Sequence, residues 1–320
     1  MISEKNWDAA FGDFYLHDCA VRSKHAFSFA CIEAVDDFAV EEPNKRMVNV
    51  FTDTGEIDYK EYTGFAWPFL AVARQPLEQA VMVGARGGVA VLGSGQRGME
   101  AAIPMGSATA ALVTSVNALA TIDGLVYAAG PWRAVCRRTA CGVWESLAGR
   151  DTLPEPERDA HGSNDEGFDV IDGFSARDIY CAGGKGDVWR FDGVRWHQCR
   201  VRVDQHIQAI CCAGDGYVYI GLQGGGILRG RENLWKLIQK TTLARPFNDM
   251  VWFADKVWCN SDDGLWTIGN GKLADADVPP EARHRSRVLA VGDGVMLFAG
   301  RYGAVVFDGK EWTPLVPDAP

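Results

Sequence analysis

Between Val126 and Leu315 one local pattern recurs five times: a short apolar strand, a glycine-rich turn, a second strand, an Asp-Gly or Asn-type turn and, in most copies, a tryptophan. The clearest copy runs from Ile179 to Trp196, and the others are Val126 to Leu147, Val218 to Leu237, Val257 to Leu273 and Met296 to Leu315. Marking the end of the first strand at Gly130, Gly183, Gly221, Asn260 and Gly300 gives intervals of 53, 38, 39 and 40 residues. A four-stranded propeller blade occupies roughly 40 to 50 residues, so the period predicts an all-β chain folded as a β-propeller. It leaves function open, because propellers host many unrelated activities.

The segment from Gln208 to Lys240 shows how one unit divides. Ile207 to Ala213 is an apolar run suited to an innermost strand, Gly214-Asp215-Gly216 a tight turn and Tyr217 to Leu222 a second strand. Gln223-Gly224-Gly225 turns the chain again, and Ile227 to Arg229 and Leu234 to Ile238 supply strands three and four. Glycine accepts positive φ without a Cβ clash, whereas branched and aromatic residues pack well on a pleated, half-buried surface. Trp144, Trp196, Trp235 and Trp312 fall on the expected outer strands. There the wedge between adjacent blades is widest and takes a large aromatic side chain.

Two fainter units precede the five: Phe69 to Ala73 with Gln79 to Leu92, and before them Cys19 to Val21, His25 to Ile32, Arg46 to Thr52 and Glu56 to Tyr59. The count is then seven four-stranded blades, with six or eight as alternatives, in one domain spanning residues 1–320. Many small sheets around an axis bury apolar surface without one enlarged core. The N-terminal segment is expected to close the ring, Phe11 to Leu16 pairing beside the final repeat. No run of about eighteen uninterrupted apolar residues predicts a membrane span. The first ten residues carry Glu4, Lys5 and Asp8 and no apolar signal core, and nine cysteines lie mostly inside strands, so buried thiols in a reducing cytoplasm are expected.

The net charge of −10 is unevenly placed. Residues 1–66 hold 13 acids against 6 bases, residues 151–178 hold 9 against 2, and the remainder is net +4. These segments contain two acidic insertions, near 33–46 and 151–169, the second explaining the 53-residue interval. Acidic loops often serve only to stay solvated, but such fields also steer association with basic partners. Nucleic acid is not an expected ligand, since binding it requires clustered Lys and Arg to neutralise phosphate.

Apparent catalytic signatures fail on context. Gly93-Ser94-Gly95-Gln96-Arg97-Gly98 matches a dinucleotide-binding pattern, yet Pro104 falls where the following helix would run. Phosphate-loop and nucleophile-elbow motifs are missing. None of the six histidines forms H-x-x-x-H, and Cys136 and Cys141 lack zinc-finger spacing. No catalytic residue, metal ligand or cofactor is therefore assigned, and the chain is read as a non-enzyme.

Gly183-x-x-Gly186-x-x-Trp189-x-x-Asp192-Gly193-x-x-Trp196 and Val257 to Trp266 resemble the repeats of bacterial two-component-regulator sensor propellers and of the neuraminidase-type Asp-box group. The likeness covers about Val81 to Leu315 and implies fold. Ser261-Asp262-Asp263-Gly264-x-Trp266 departs from the S-x-D-x-G-x-x-W spacing, and the sialidase arginine cluster, tyrosine nucleophile and acid have no counterparts here. The resemblance therefore carries no enzymatic role.

In this strand order the turns between strands two and three share one rim with the loops that link blades. The expected partner-binding set on that rim is Arg86, Trp132, Arg133, Lys185, Gln223, Asp262, Asp263, Arg301 and Tyr302. Glu155, Glu157, His161, Asp165, Glu166, Arg245, His284 and Arg285 join it from the longer connections. Mixed charge with Trp and Tyr is common at protein contact surfaces. The expectation is a cytoplasmic, non-catalytic binding module, such as a bacterial immunity or adaptor protein, that engages a protein with a basic surface. A carbohydrate-active propeller enzyme or a small-ligand sensor using the central channel is the alternative.

Overall fold

In a computed structural model the chain forms seven four-stranded antiparallel sheets, each built from four consecutive strands in the order 1-2-3-4. The structure describes residues 2–35, 42–106, 111–112, 114–148, 153–154, 156, 166–240, 246–262, 264–269, 271–279, 287–301 and 303–315. The blades occupy residues 14–62, 68–100, 118–146, 170–200, 207–239, 249–275 and 288–314. Their first strands pack one against the next around the axis, and the ring closes where Phe14–Ser23 of blade one meets Val288–Gly292 of blade seven. The seven-blade count is thus the observed one.

Apolar burial is distributed as seven clusters, one at each junction between neighbouring blades. The tryptophans behave as the wedge argument requires: Trp144 packs between blades two and three, and Trp196 between three and four. Trp235 packs between four and five, and Trp312 between six and seven. The Asp-Gly turns that precede Trp196 and Trp312 share a further device. Asp192 Oδ1 accepts the Val194 and Arg195 N–H groups, both at 2.8 Å, and Asp308 Oδ1 accepts those of Lys310 and Glu311 at the same distance. These bonds satisfy turn amides and hold both carboxyls below the usual carboxylate range. Asp192→Ala should lower the urea midpoint without changing the slope of unfolding; an unchanged midpoint would show the turn to be set by Gly193 alone.

Closure differs from the expected strand exchange. Phe11 to Leu16 does not pair beside the last repeat: Phe11 ends the helix Glu4–Phe11, whereas Phe14 begins the innermost strand of blade one. Blade seven is completed by its own Trp312–Pro314. Among the described residues the two blades are joined by a backbone bond from the Leu16 N–H to the Arg301 carbonyl at 3.0 Å, by the Lys24 N–H donating to the Asp293 carboxylate at 2.9 Å, and by an apolar wedge. That wedge is filled by the helix. Ser3 caps its N-terminus, and Trp7 and Phe11, stacked with centroids 4.0 Å apart, pack with Phe29 of blade one and Leu315 beyond blade seven. Burying Phe11 there contributes roughly 1.5–3 kcal/mol. Arg46 fastens the helix from beneath: its guanidinium donates to the Ala10 carbonyl at 2.6 Å, lies 3.9 Å from the Phe14 ring centre and pairs with Glu61.

The nine cysteines are free thiols, and all but Cys141 are buried or partly so. Gly93 to Gly98 is a hairpin turn between Val89–Gly93 and Gly98–Glu100, with no helix to receive a pyrophosphate.

Candidate functional site: the upper rim and the channel

Antiparallel order places the turns between second and third strands on the same rim as the connections between blades. Arg86, Trp132, Arg133, Lys185, Gln223, Asp262 and Arg301 all occupy such turns. Glu155, Glu157, His161, Asp165, Arg245, Asp263, His284, Arg285 and Tyr302 lie outside the described residues.

The described members differ in what they offer. Arg86 is exposed and pairs with Glu42 across the junction of blades one and two. The Asp262 carboxylate accepts from the Asn248 amide at 3.0 Å, and the Arg301 guanidinium lies 4.6 Å from the Tyr15 ring centre. Lys185 and Gln223 are exposed. Arg133 requires a correction, because it faces inward. Its Nε reaches both Asp187 oxygens at 3.1 and 2.9 Å, Nη1 donates to the Pro154 carbonyl at 2.9 Å, and Nη2 meets Glu166 at 2.7 Å. The guanidinium also lies 5.0 Å from the Trp189 ring centre. Trp132 and Arg133 both have positive φ, 63° and 55°, and this turn aims the arginine back into the blade. Pro154 and Glu166 flank positions 155–165 of the second acidic insertion, so Arg133 is tied to the two residues on either side of them.

Sequence reasoning named the central channel only as an alternative site and assigned no residue to it. The seven inner strands surround a space of about 1060 Å³ whose wall includes His17, Asp18, Asp172, Asp249, Trp67 and Arg287. Three aspartates repeat one arrangement: one oxygen accepts the N–H of the next residue, and the other accepts an N–H from the inner strand of the following blade. Asp18 bonds Cys19 at 2.8 Å and Leu70 at 2.7 Å, Asp172 bonds Gly173 and Cys212 at 2.7 Å each, and Asp249 bonds Met250 at 2.8 Å and Leu289 at 3.1 Å. Thr121 makes an equivalent bridge to both backbone groups of Val72. A signal was present: each acid stands in or beside an otherwise apolar run, as in Val170-Ile171-Asp172-Gly173-Phe174.

Burial pushes the Asp18 carboxyl up to about 7 and those of Asp172 and Asp249 to about 6, against the opposing effect of the backbone N–H bonds. Burial, with Arg287 and Lys45 nearby, takes His17 down to about 4. A carboxyl whose pKa is raised by folding binds protons more tightly in the native state, so its stabilising contribution is complete below about 4 and is lost as pH rises through 6 to 7. His17 works in the opposite direction over the same interval, and the three carboxyls outweigh it. The unfolding free energy should therefore rise between pH 8 and pH 5 by chemical denaturation. An Asp18→Asn/Asp249→Asn variant should show a flattened profile, and a flattened profile in the parent chain would overturn the assignment.

The class these features define is a seven-bladed propeller with one elaborated, charge-bearing rim and no assembled catalytic group among the described residues. Similar folds include YCF48 solved with a D1 peptide, at TM-score 0.61 and 12% identity over 96% of this chain and 93% of that one. The WD40 propeller domain of Doa1 matches at 0.60 and 11%, covering 92% of each chain. PorZ of Porphyromonas gingivalis matches at 0.58 and 9%, over 96% of this chain and 38% of that one. No family model matches the sequence. The chain belongs to the family of Immune protein Tsi7 of Pseudomonas aeruginosa, with which it is 34% identical over 242 residues, 76% of this chain and 77% of that protein. Among the described residues, no helix is long and apolar enough to cross a membrane, and no group of three or more His, Cys, Asp or Glu is gathered to hold a metal ion.

Proposed function

We propose that this immunity-family propeller acts in the cytoplasm by binding a toxin protein through its upper rim, without chemistry of its own. Covering the toxin's active site would then be the means of inhibition. The observation that carries the reading, beyond family membership, is the mooring of the second acidic insertion by Arg133, which ties a strongly charged segment to a rigid blade at both Pro154 and Glu166. Anchoring the residues on either side of an acidic segment lowers the entropic cost of presenting its charge to a basic partner, which such a field also steers. The likeness of the blade motifs to sensor and Asp-box propellers enters only as fold.

The partner should be isolated by stoichiometric capture from the native lysate at low salt, and its association rate then measured against ionic strength. Association is expected to slow with salt, and reversal of Glu155, Glu157, Asp165 and Glu166 to Lys should slow it further, by about tenfold or more at low ionic strength. Rates insensitive to both changes would remove the electrostatic part of the reading.

A further inference from the structure

Resting on the toxin-binding reading, we propose that the toxin seats an arginine side chain in the upper mouth of the channel, stacked on Trp67 and paired with Asp169. Trp67 lies in the link between blades one and two, is 56% exposed, and has a φ of 37°, a left-handed conformation that strains a bulky residue. Unlike Trp144, Trp196, Trp235 and Trp312 it fills no wedge between blades, so core packing does not account for it. The link is nevertheless held tightly. Phe65 is buried, the Ala85 N–H donates to the Ala66 carbonyl at 2.7 Å and to the Trp67 carbonyl at 3.2 Å, and a Cβ on Gly84 would lie 3.0 Å from the Ala66 oxygen. The His17 ring stands perpendicular to the indole, with centroids 4.7 Å apart. A tryptophan displayed on a fixed backbone offers a large contact area at little entropic cost, the property of residues that dominate binding energy.

Beside Trp67 opens a recess of about 530 Å³, lined also by Phe69, Asn117, Asp169 and Gln208. Asp169 is the only charged residue among those described that line it. It is exposed, and its donors are uncharged: the Asn117 amide reaches Oδ1 at 3.0 Å and the Gly184 N–H reaches Oδ2 at 3.3 Å. No cation pairs with it among the described residues, whereas Arg86, Arg133 and Glu166 on the same rim already have ionic partners. An oriented carboxylate without a countercharge and an open indole in one recess fit a cation with a flat face. A guanidinium stacks on the aromatic ring while its fork meets the carboxylate, and a lysine ammonium supplies only the charge. The net charge of −10 makes a basic partner the complementary one. Where the acidic insertions steer approach, this recess is a short-range anchor that holds the complex once formed.

The probe is the purified protein retained in the low-salt capture, and the test is its binding kinetics with the full chain and with Trp67→Ala, Trp67→Phe and Asp169→Asn. Trp67→Ala should weaken the complex about 30-fold or more, chiefly through faster dissociation, and Asp169→Asn about tenfold. Trp67→Phe keeps an aromatic face and should recover part of the loss. Both positions are exposed, so the urea midpoints should stay at the parent value, which separates a lost anchor from a lost fold. Single arginine-to-lysine replacements in the partner then locate the guanidinium. One of them should cost the parent complex about tenfold and the Trp67→Ala complex almost nothing. Parent dissociation rates in both the Trp67→Ala and Asp169→Asn complexes overturn the proposal and leave the toxin-binding reading intact. So does a loss at Trp67 to which no arginine of the partner couples. The absence of any stoichiometric partner overturns that reading and this proposal with it.

Discussion

Replacing Arg138 by alanine should remove about 3–5 kcal/mol of stability, the typical effect of stripping one partner from a buried ion pair. Arg138, on the third strand of blade three, has a fully buried side chain, as does Glu100 at the end of blade two. Its Nε and Nη2 meet the Glu100 carboxylate at 3.1 and 2.6 Å, and Nη2 also donates to the Gln79 side-chain oxygen at 2.9 Å. Glu100 in turn accepts the Gly142 N–H at 2.9 Å, while the Gln79 amide holds the Ser94 carbonyl at 2.9 Å. The network stitches blades two and three at the end opposite the partner rim, so alanine leaves a buried carboxylate without its countercharge. Arg138→Lys should recover only part of the loss, because an ammonium cannot reproduce the planar fork. In a double-mutant cycle with Glu100→Ala the two losses should be strongly non-additive. Additive losses in urea unfolding would show that Arg138 acts through packing alone.

The legibility of the fold tracked how much each blade advertises its own wedge. Blades three to seven were readable because Gly-rich turns, Asp-Gly turns and outer-strand tryptophans recur at a fixed period. Blade one was faint because its wedge aromatic is not on its outer strand at all. Trp7 and Phe11 arrive from a helix that precedes the blade, and an eight-residue helix draws its stability from tertiary packing, not from a sequence period. Phe11, Phe14, Tyr15 and Leu16 crowd apolar and aromatic side chains into six positions, so the stretch reads as one strand. The Ser3 cap and the burial of Trp7 settle the first of these as helix end instead. At the rim, connectivity was enough to place residues on one side of the ring, but not to say which way each side chain turns. Arg133 was therefore assigned outward, when a pair of left-handed residues folds it into the blade. The channel aspartates escaped for a related reason: alternation identifies the two faces of a strand, whereas only the closed ring decides that one edge abuts the next blade.

Arg133 supplies the second large effect, and it separates mooring from docking. Among the described residues, Arg133→Ala leaves Asp187, whose side chain is 4% exposed, with the Trp189 indole N–H at 2.8 Å and the Gly167 N–H at 3.0 Å as its donors. A loss of about 3–5 kcal/mol is expected from that buried, unpaired charge. Glu166→Gln should lose far less: the Glu166 side chain is nearly half exposed, where solvent screens the pair, while the amide can still accept from Nη2. The two variants therefore differ in stability but share the weakening of one mooring point. Hydrogen exchange should accelerate around Phe168, whose N–H bonds the Gly130 carbonyl at 3.1 Å beside the moored end, strongly in Arg133→Ala and mildly in Glu166→Gln. If the acidic insertion must be held to receive a basic toxin, association should slow in the same order. Faster exchange with an unchanged association rate would mean that the charge of the insertion suffices and its position does not, leaving Arg133 a purely structural residue.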